Sequence, residues 1–227
     1  MRTGMTDTVI VSGGNIHTGF ALDFLQRKKE KYAKGNFLLI AADKGMEFFM
    51  QTGLKPDIAV GDFDSLSECG KAYLDSLKDV EIIRLKPEKD DSDTQSAVNL
   101  AVQRGSREII VLGATGSRLD HVMANMGLLS LGKKLGVKVA LADANNYICL
   151  IESGAVLSRA EAFGDYVSFF PVGGCVEGLT LSGFKYGLNN YCLNTWDSGL
   201  TVSNEFLEEQ AAVTFEKGDL MMIQSRD

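Results

Sequence analysis

Residues 61 to 65 read GDFDS, which sets two carboxylates two positions apart directly after the apolar run Ile58, Ala59, Val60. Two residues apart on extended chain, Asp62 and Asp64 point to the same side, a geometry suited to sharing a divalent cation. Asp43, Asp90, Asp91 and Asp93 add to the acidic set, and so many carboxylates on one rim would repel each other unless a cation sat among them. Magnesium answers that problem: it prefers carboxylate oxygen, keeps several waters and is usually completed by substrate phosphates. Lys86, Lys89 and Arg118 supply positive charge able to meet a phosphate chain. Acid for a metal and base for phosphate together suggest a nucleoside triphosphate.

Each stretch also has a plainer structural explanation. Ser65 with Glu68, and Ser92 with Gln95, both fit a capping box, which satisfies orphan backbone donors at a helix start and needs no ligand. Asp43 suits a helix N-cap, and Ser12-Gly13-Gly14-Asn15 suits a turn. The Gly13-Gly14 pair belongs to neither a P-loop nor a GxGxxG pattern.

The elements that must position these residues alternate along the first part of the chain. Short β-branched runs at 8–11, 37–42, 58–60, 80–85, 108–112 and 137–142 read as strands. Between them 19–34, 44–52, 67–78, 93–104 and 121–135 read as helices, the pattern of a parallel sheet with crossover helices. The strands are apolar on both faces, as a sheet covered by helices requires. In such a sheet ligands collect beyond the carboxyl ends of the strands, and the polar loops fall there. Besides those named, they include Gly113-Ala114-Thr115-Gly116-Ser117-Arg118-Leu119-Asp120-His121.

After Asn146 the text changes to short alternating stretches at 147–152, 166–171, 176–181, 200–203, 211–215 and 220–223, separated by glycine. The expected fold class is therefore α/β: a three-layer domain with a mostly parallel sheet over 1–145, then an antiparallel β-sandwich over 146–227.

With 45% hydrophobic residues, the 227-residue chain has ample material for a core. Its 23 basic against 30 acidic residues, a formal charge of −7, argue against neutralising a nucleic-acid backbone. No apolar segment suits a membrane span and residues 1–7 lack signal-peptide order, so a soluble, cytoplasmic protein is expected. Cys69, Cys149, Cys175 and Cys192 form no CxxC pair and read as reduced, mostly buried thiols.

GDFDS, then KDDSD followed by Thr94-Gln95, then GATGSRLDH, then Ser203-Asn204-Glu205-Phe206, in that order, resemble the thiamine pyrophosphokinases. The resemblance spans nearly the whole chain. It implies transfer of the pyrophosphoryl group of ATP to the hydroxyl of thiamine, release of AMP, dependence on Mg²⁺, and a homodimer with thiamine bound near the subunit interface. It also implies roles for individual residues. Asp62 and Asp64 would bind magnesium, with Asp43 nearby and Asp93 in the same acidic set. Asp90 and Asp93 would be the acidic members of the second motif, where Ser92 replaces the commoner threonine. Arg118 would face phosphate, and Asp120 would orient the loop or the attacking hydroxyl. Ser65, Lys86, Gln95, Thr115 and Gly116 would line the nucleotide side. Ser203 and Asn204 would belong to the thiamine pocket. Gly183-Phe184-Lys185-Tyr186 keeps the aromatic of a family run but not its tryptophan.

Either Asp93 or Asp120 could accept the proton of the attacking alcohol. His121 reads as a helix cap rather than a catalyst, His17 as surface or cap, and Trp196 as packing rather than stacking. Two rival functions use the same residues: a metal-dependent phosphohydrolase, which here lacks the expected histidine ligands, and a non-catalytic nucleotide or thiamine binding module.

Overall fold

The structure, a computed structural model, describes residues 6–31, 37–86, 88 and 90–227. The chain divides into two compact units, residues 1–144 and 145–227.

In the first unit, β1 (Thr6–Val11), β2 (Phe37–Ala42), β3 (Ile58–Gly61), β4 (Glu81–Arg84), β5 (Ser106–Leu112) and β6 (Lys138–Ala142) form a parallel sheet in the order β4-β3-β2-β1-β5-β6. The helices are α1 (Thr18–Lys31), α2 (Met46–Thr52), α3 (Glu68–Ser76), α4 (Asp93–Gln103) and α5 (Leu119–Leu135). Val9, Ile10, Val11, Ile40, Ala41, Ala59 and Val60 are buried on successive positions, so both faces of the central strands are covered. The sequence makes this so: runs of β-branched residues have no polar face to offer solvent. The chain winds outward from β1 to β4 and then returns to the other side of β1 for β5. The carboxyl ends of β1 and β5 therefore flank a topological switch point, where connecting loops diverge and leave a crevice.

The second unit is antiparallel. It contains β7 (Asn146–Ile151), β8 (Ala155–Ser158), β9 (Tyr166–Ser182), β10 (Leu188–Leu193), β11 (Gln210–Thr214) and β12 (Lys217–Ser225). The early part of β9 pairs with β12, which pairs in turn with β7, while its later part pairs with β10 and β11, and β11 with β8. Val167, Phe169, Leu220 and Met222 from one set share a buried cluster with Val176, Leu181 and Val213 from the other. The rings of Phe169 and Phe184 meet edge-on at 5.5 Å in that core.

Several expectations change. The stretches 166–171 and 176–181 are one continuous strand. Residues 200–203 form no strand: Thr195–Leu200 is a short 3-10 helix closed by a reciprocal cap between Asn194 and Asp197, and the bonds of that cap outweigh a brief apolar alternation. The strands β8 and β10 lie outside the stretches read as strands: β8 is apolar but only four residues long, and β10 carries Asn189 and Asn190. None of the four free cysteines is fully buried, and Cys69 and Cys192 are exposed. Trp196 is 78% exposed, which overturns its reading as a packing residue. Among the described residues no helix is long and apolar enough to cross a membrane.

Candidate active site

At the switch point a cavity of about 670 Å³ opens beyond the carboxyl ends of the first unit's strands. Its wall includes Ser12 to Asn15 after β1, Asp43 and Lys44 after β2, and Gly113 to Arg118 after β5. Ser92, Asp93 and Thr94 enter from the start of α4, and Asp120, His121 and Asn125 from α5.

Oxygens of Asp43, Asp62 and Asp64 all lie within 4.8 Å of one another. The extended geometry expected for the GDFDS pair is not what produces this. β3 ends at Gly61, and Phe63 adopts the left-handed conformation with φ 61°, so the chain turns sharply between the two aspartates. Burial of the Phe63 ring holds that turn, an uncommon conformation for a bulky residue. The Asp64 N–H donates to Oδ1 of Asp62 at 3.2 Å. Asp43 also takes a positive φ, of 44°, and lies against Gly61, where a Cβ would come within 2.9 Å of its Cα.

Ser65 donates its hydroxyl to Oδ2 of Asp43, while Oδ1 is buried and has no hydrogen-bond partner. Burial raises the pKa of Asp43; the Ser65 and Lys44 hydrogen bonds oppose the rise, and the charges of Asp93 and Asp62 add to it. Among the described residues no cation offsets that burial. Three carboxylates within reach of one another, one of them carrying the orphaned, buried oxygen, fit magnesium well.

The capping readings divide. Ser67, not Ser65, caps α3, accepting from Gly70 N–H, which frees Ser65 for Asp43. Ser92 does cap α4, accepting from Gln95 N–H at 3.2 Å, but the Gln95 amide turns to Asp91 instead of returning to Ser92. Asn99 also donates to Asp91, at 3.1 Å, so Asp91 is engaged within α4's own first turns. Asp43 makes no side-chain cap for α2. His121 lies on the third position of α5 and lines the cavity, and that helix has no side-chain cap. His17 accepts from Phe20 N–H at 3.2 Å and serves as a cap for α1.

Of the residues singled out for nucleotide, Asp43, Ser65, Asp93, Thr115, Gly116, Arg118 and Asp120 reach the cavity wall, whereas Lys86, Asp90 and Gln95 do not. Asp62 and Asp64 lie in the carboxylate cluster beside Asp43. Lys89 and Pro87 are outside the described residues. Arg118 pairs with the next acidic residue: its Nε reaches Oδ1 of Asp120 at 3.2 Å and its Nη2 reaches Oδ2. That fork holds the Asp120 carboxyl down to about 2 and raises the Arg118 guanidinium further.

In the second unit Asn204 is buried and its carboxamide makes three hydrogen bonds. Its Oδ1 accepts from Tyr186 N–H at 2.9 Å and Glu205 N–H at 3.0 Å, and its Nδ2 donates to the Tyr186 carbonyl at 2.8 Å. Asn204 is thus a brace. Exposed Ser203 and Tyr186 are what this motif offers a ligand, with Lys185 paired to Glu205 at 2.7 Å beside them.

Comparison with known proteins agrees in both units. Residues 29–141 match the model for the thiamin pyrophosphokinase catalytic domain, and 155–220 match the thiamin pyrophosphokinase vitamin B1 binding domain. The thiamine pyrophosphokinase of Bacillus subtilis is 35% identical over 86% of this chain and 91% of its own length. The chain belongs to the thiamine pyrophosphokinase family. A solved thiamine pyrophosphokinase from Bacillus subtilis superposes with a TM-score of 0.82 at 31% identity, covering 98% of this chain and 100% of the other. One from Geobacillus thermodenitrificans gives 0.81 at 31% identity, covering 98% of each. The chain is accordingly an enzyme of that class.

Lys44, Thr94 and Asn125 were not picked out from sequence as binding residues, yet they line the cavity. Lys44 adjoins Asp43 and so was a findable cation. Asn125 follows His121 by one helical turn on an otherwise apolar face, a weaker signal.

Proposed function

We propose that the chain transfers the pyrophosphoryl group of ATP to the hydroxyl of thiamine, releasing AMP, with Mg²⁺ held by Asp43, Asp62 and Asp64. The observation that carries this is the buried Oδ1 of Asp43, without a partner among the described residues, inside a cluster of three carboxylates of which Asp43 also lines the cavity. When bound, the ion would supply neutralisation of phosphate oxygens and of the charge that grows toward the leaving AMP.

The chain's own groups do the positioning, which supplies most of the rate in such transfers. Arg118 and Lys44 stand in the wall as cations for the polyphosphate. The Arg118 fork keeps Asp120 ionised and a feeble proton acceptor, so the alcohol proton falls to Asp93, which lines the same cavity. Ser203 and Tyr186 meet thiamine; the match of 155–220 to a vitamin B1 binding domain supports that assignment. Homodimerisation in the cytoplasm completes the proposal. Exposed Trp196, Leu200, Val202 and Leu207 support a self-association face on the second unit.

The deciding assay follows ATP consumption and nucleotide products with and without thiamine. AMP and thiamine diphosphate, formed only when both substrates are present, is the expected result. ATP turnover without thiamine would make the protein a hydrolase, and ADP with thiamine monophosphate would make it a simple kinase.

A further inference from the structure

The turn after β5 has an uncommon feature: three consecutive carbonyls are each occupied by a donor from another segment. Gly14 N–H donates to the Gly113 carbonyl at 2.9 Å and Asn15 N–H to that of Thr115 at 2.9 Å. Between them, the Asn125 Nδ2 donates to the Ala114 carbonyl at 2.7 Å. The Thr115 hydroxyl is tied down as well, donating to Asp143 Oδ2 at 2.8 Å. The first and third carbonyls are held by backbone, which no side-chain substitution removes. Gly14 must be glycine for that approach, since a Cβ there would run into the carbonyl oxygens of Gly113 and Thr115. Only the middle carbonyl depends on a side chain.

Asn125 also sits where an apolar residue would be expected. It is buried on α5 together with Leu128, Leu129 and Gly132, the face of the helix that packs inward. A carboxamide there costs desolvation unless its hydrogen bonds are made. Carbonyl oxygens in the wall of a polyphosphate site repel the ligand, so a loop lining such a site works best when its acceptors are already occupied.

We propose that Asn125 is a positioning residue for the nucleotide, occupying the Ala114 carbonyl so that none of the three consecutive carbonyls from Gly113 to Thr115 is left as a free acceptor facing the polyphosphate. This rests on the assignment of the cavity to ATP. Asn125 acts through the loop and not on the reacting atoms, so nucleotide affinity should change more than the chemical step.

The test compares the parent with Asn125→Asp, which keeps the shape but sets a carboxylate against the carbonyl, and Asn125→Leu, which removes the donor without adding charge. Binding of the magnesium complex of a non-hydrolysable ATP analogue should weaken about tenfold or more in both, with KM for ATP rising in step. Turnover at saturation should stay within about threefold, KM for thiamine should not change, and Mn²⁺ affinity without nucleotide should match the parent. A merely structural role would lower the melting temperature and leave the affinity of the folded fraction untouched, which overturns the proposal. In the parent alone, amides of residues 113–118 should gain protection from hydrogen exchange when the analogue is added; no gain there overturns it without any variant. Failure of the parent to bind the analogue overturns the nucleotide assignment and this proposal with it, whereas parent binding with unaltered variants overturns this proposal alone.

Discussion

Ser65 donates to one oxygen of Asp43 and leaves the other buried and without a partner. Burial, partly offset by that hydrogen bond, raises the Asp43 pKa above its ordinary value of 3.8. Without metal, the native state therefore holds a proton that the unfolded chain releases at lower pH. Stability falls as pH rises from the unfolded value through the raised native one, and the deficit persists above it. A cation at Asp43 reverses this. Calorimetry at pH 8 should show Mg²⁺ raising the melting temperature by about 5 to 10 °C at a hundredfold excess over Kd, relative to chelator. The increment should shrink as pH falls through the Asp43 titration. An increment independent of pH would separate Asp43 from the metal.

Asp64 is exposed, so its carboxylate contributes little to packing. Asp64→Asn should melt within about 0.5 kcal/mol of the parent in chelator. Turnover, followed as AMP release with limiting magnesium, should drop on the order of a hundredfold or more. Parent-level turnover under limiting metal would remove this residue from the site.

The Arg118 and Asp120 pair makes a prediction of opposite character. With its carboxyl held at about 2, Asp120 stays ionised across any working range and contributes no limb to the pH–rate profile. Its depressed native pKa adds stability that is present above the unfolded value and is lost only as pH falls from about 4 toward 2. Asp120→Asn should therefore leave the acid limb of kcat where it was. Arg118→Lys keeps the charge but loses the planar fork, and KM for ATP should rise about tenfold. An acid limb that moved in Asp120→Asn would make Asp120 the proton acceptor after all.

Asn204→Ala removes the donor and acceptor that hold both backbone groups of Tyr186. Leaving those part-buried groups without their partner, and a gap where the buried Asn204 side chain stood, should destabilise the protein by roughly 1 to 3 kcal/mol, read from denaturant melts. Ser203→Ala, at an exposed position, should leave the melt unchanged and raise KM for thiamine. Equal stability in Asn204→Ala would contradict the bracing role.

How much of this was legible beforehand differs between the units. The parallel sheet was readable because Phe37–Ala42 and Ile58–Gly61 are continuous apolar runs of a kind only a doubly covered strand accommodates. The acidic motifs pointed to the rim where Asp43, Asp62 and Asp64 cluster, because strand ends dictate where loops converge. What pattern could not reveal was backbone torsion: the left-handed Phe63 turns the two aspartates together, and nothing in GDFDS announces a positive φ. Side-chain partners were equally hidden. The resemblance assigns Gln95 to the nucleotide side and Asn204 to the thiamine pocket, and in the structure the Gln95 amide donates to Asp91 and the Asn204 amide to the Tyr186 carbonyl. Local competition for hydrogen bonds decided both, and it depends on residues distant in sequence or on the neighbouring turn.

The strand β12 lies between β7 and β9, so the pairing of residues 146–151 waits on residues 217–225. During synthesis the pairing of β7 and of the early part of β9 thus cannot settle until β12 has left the ribosome, and those two segments travel meanwhile with open, apolar edges, although β11 can already pair with β8, and β10 and β11 with the later part of β9. A stop codon ahead of residue 217 would release the nascent chain in that condition, which makes truncation there a route to aggregation and chaperone capture.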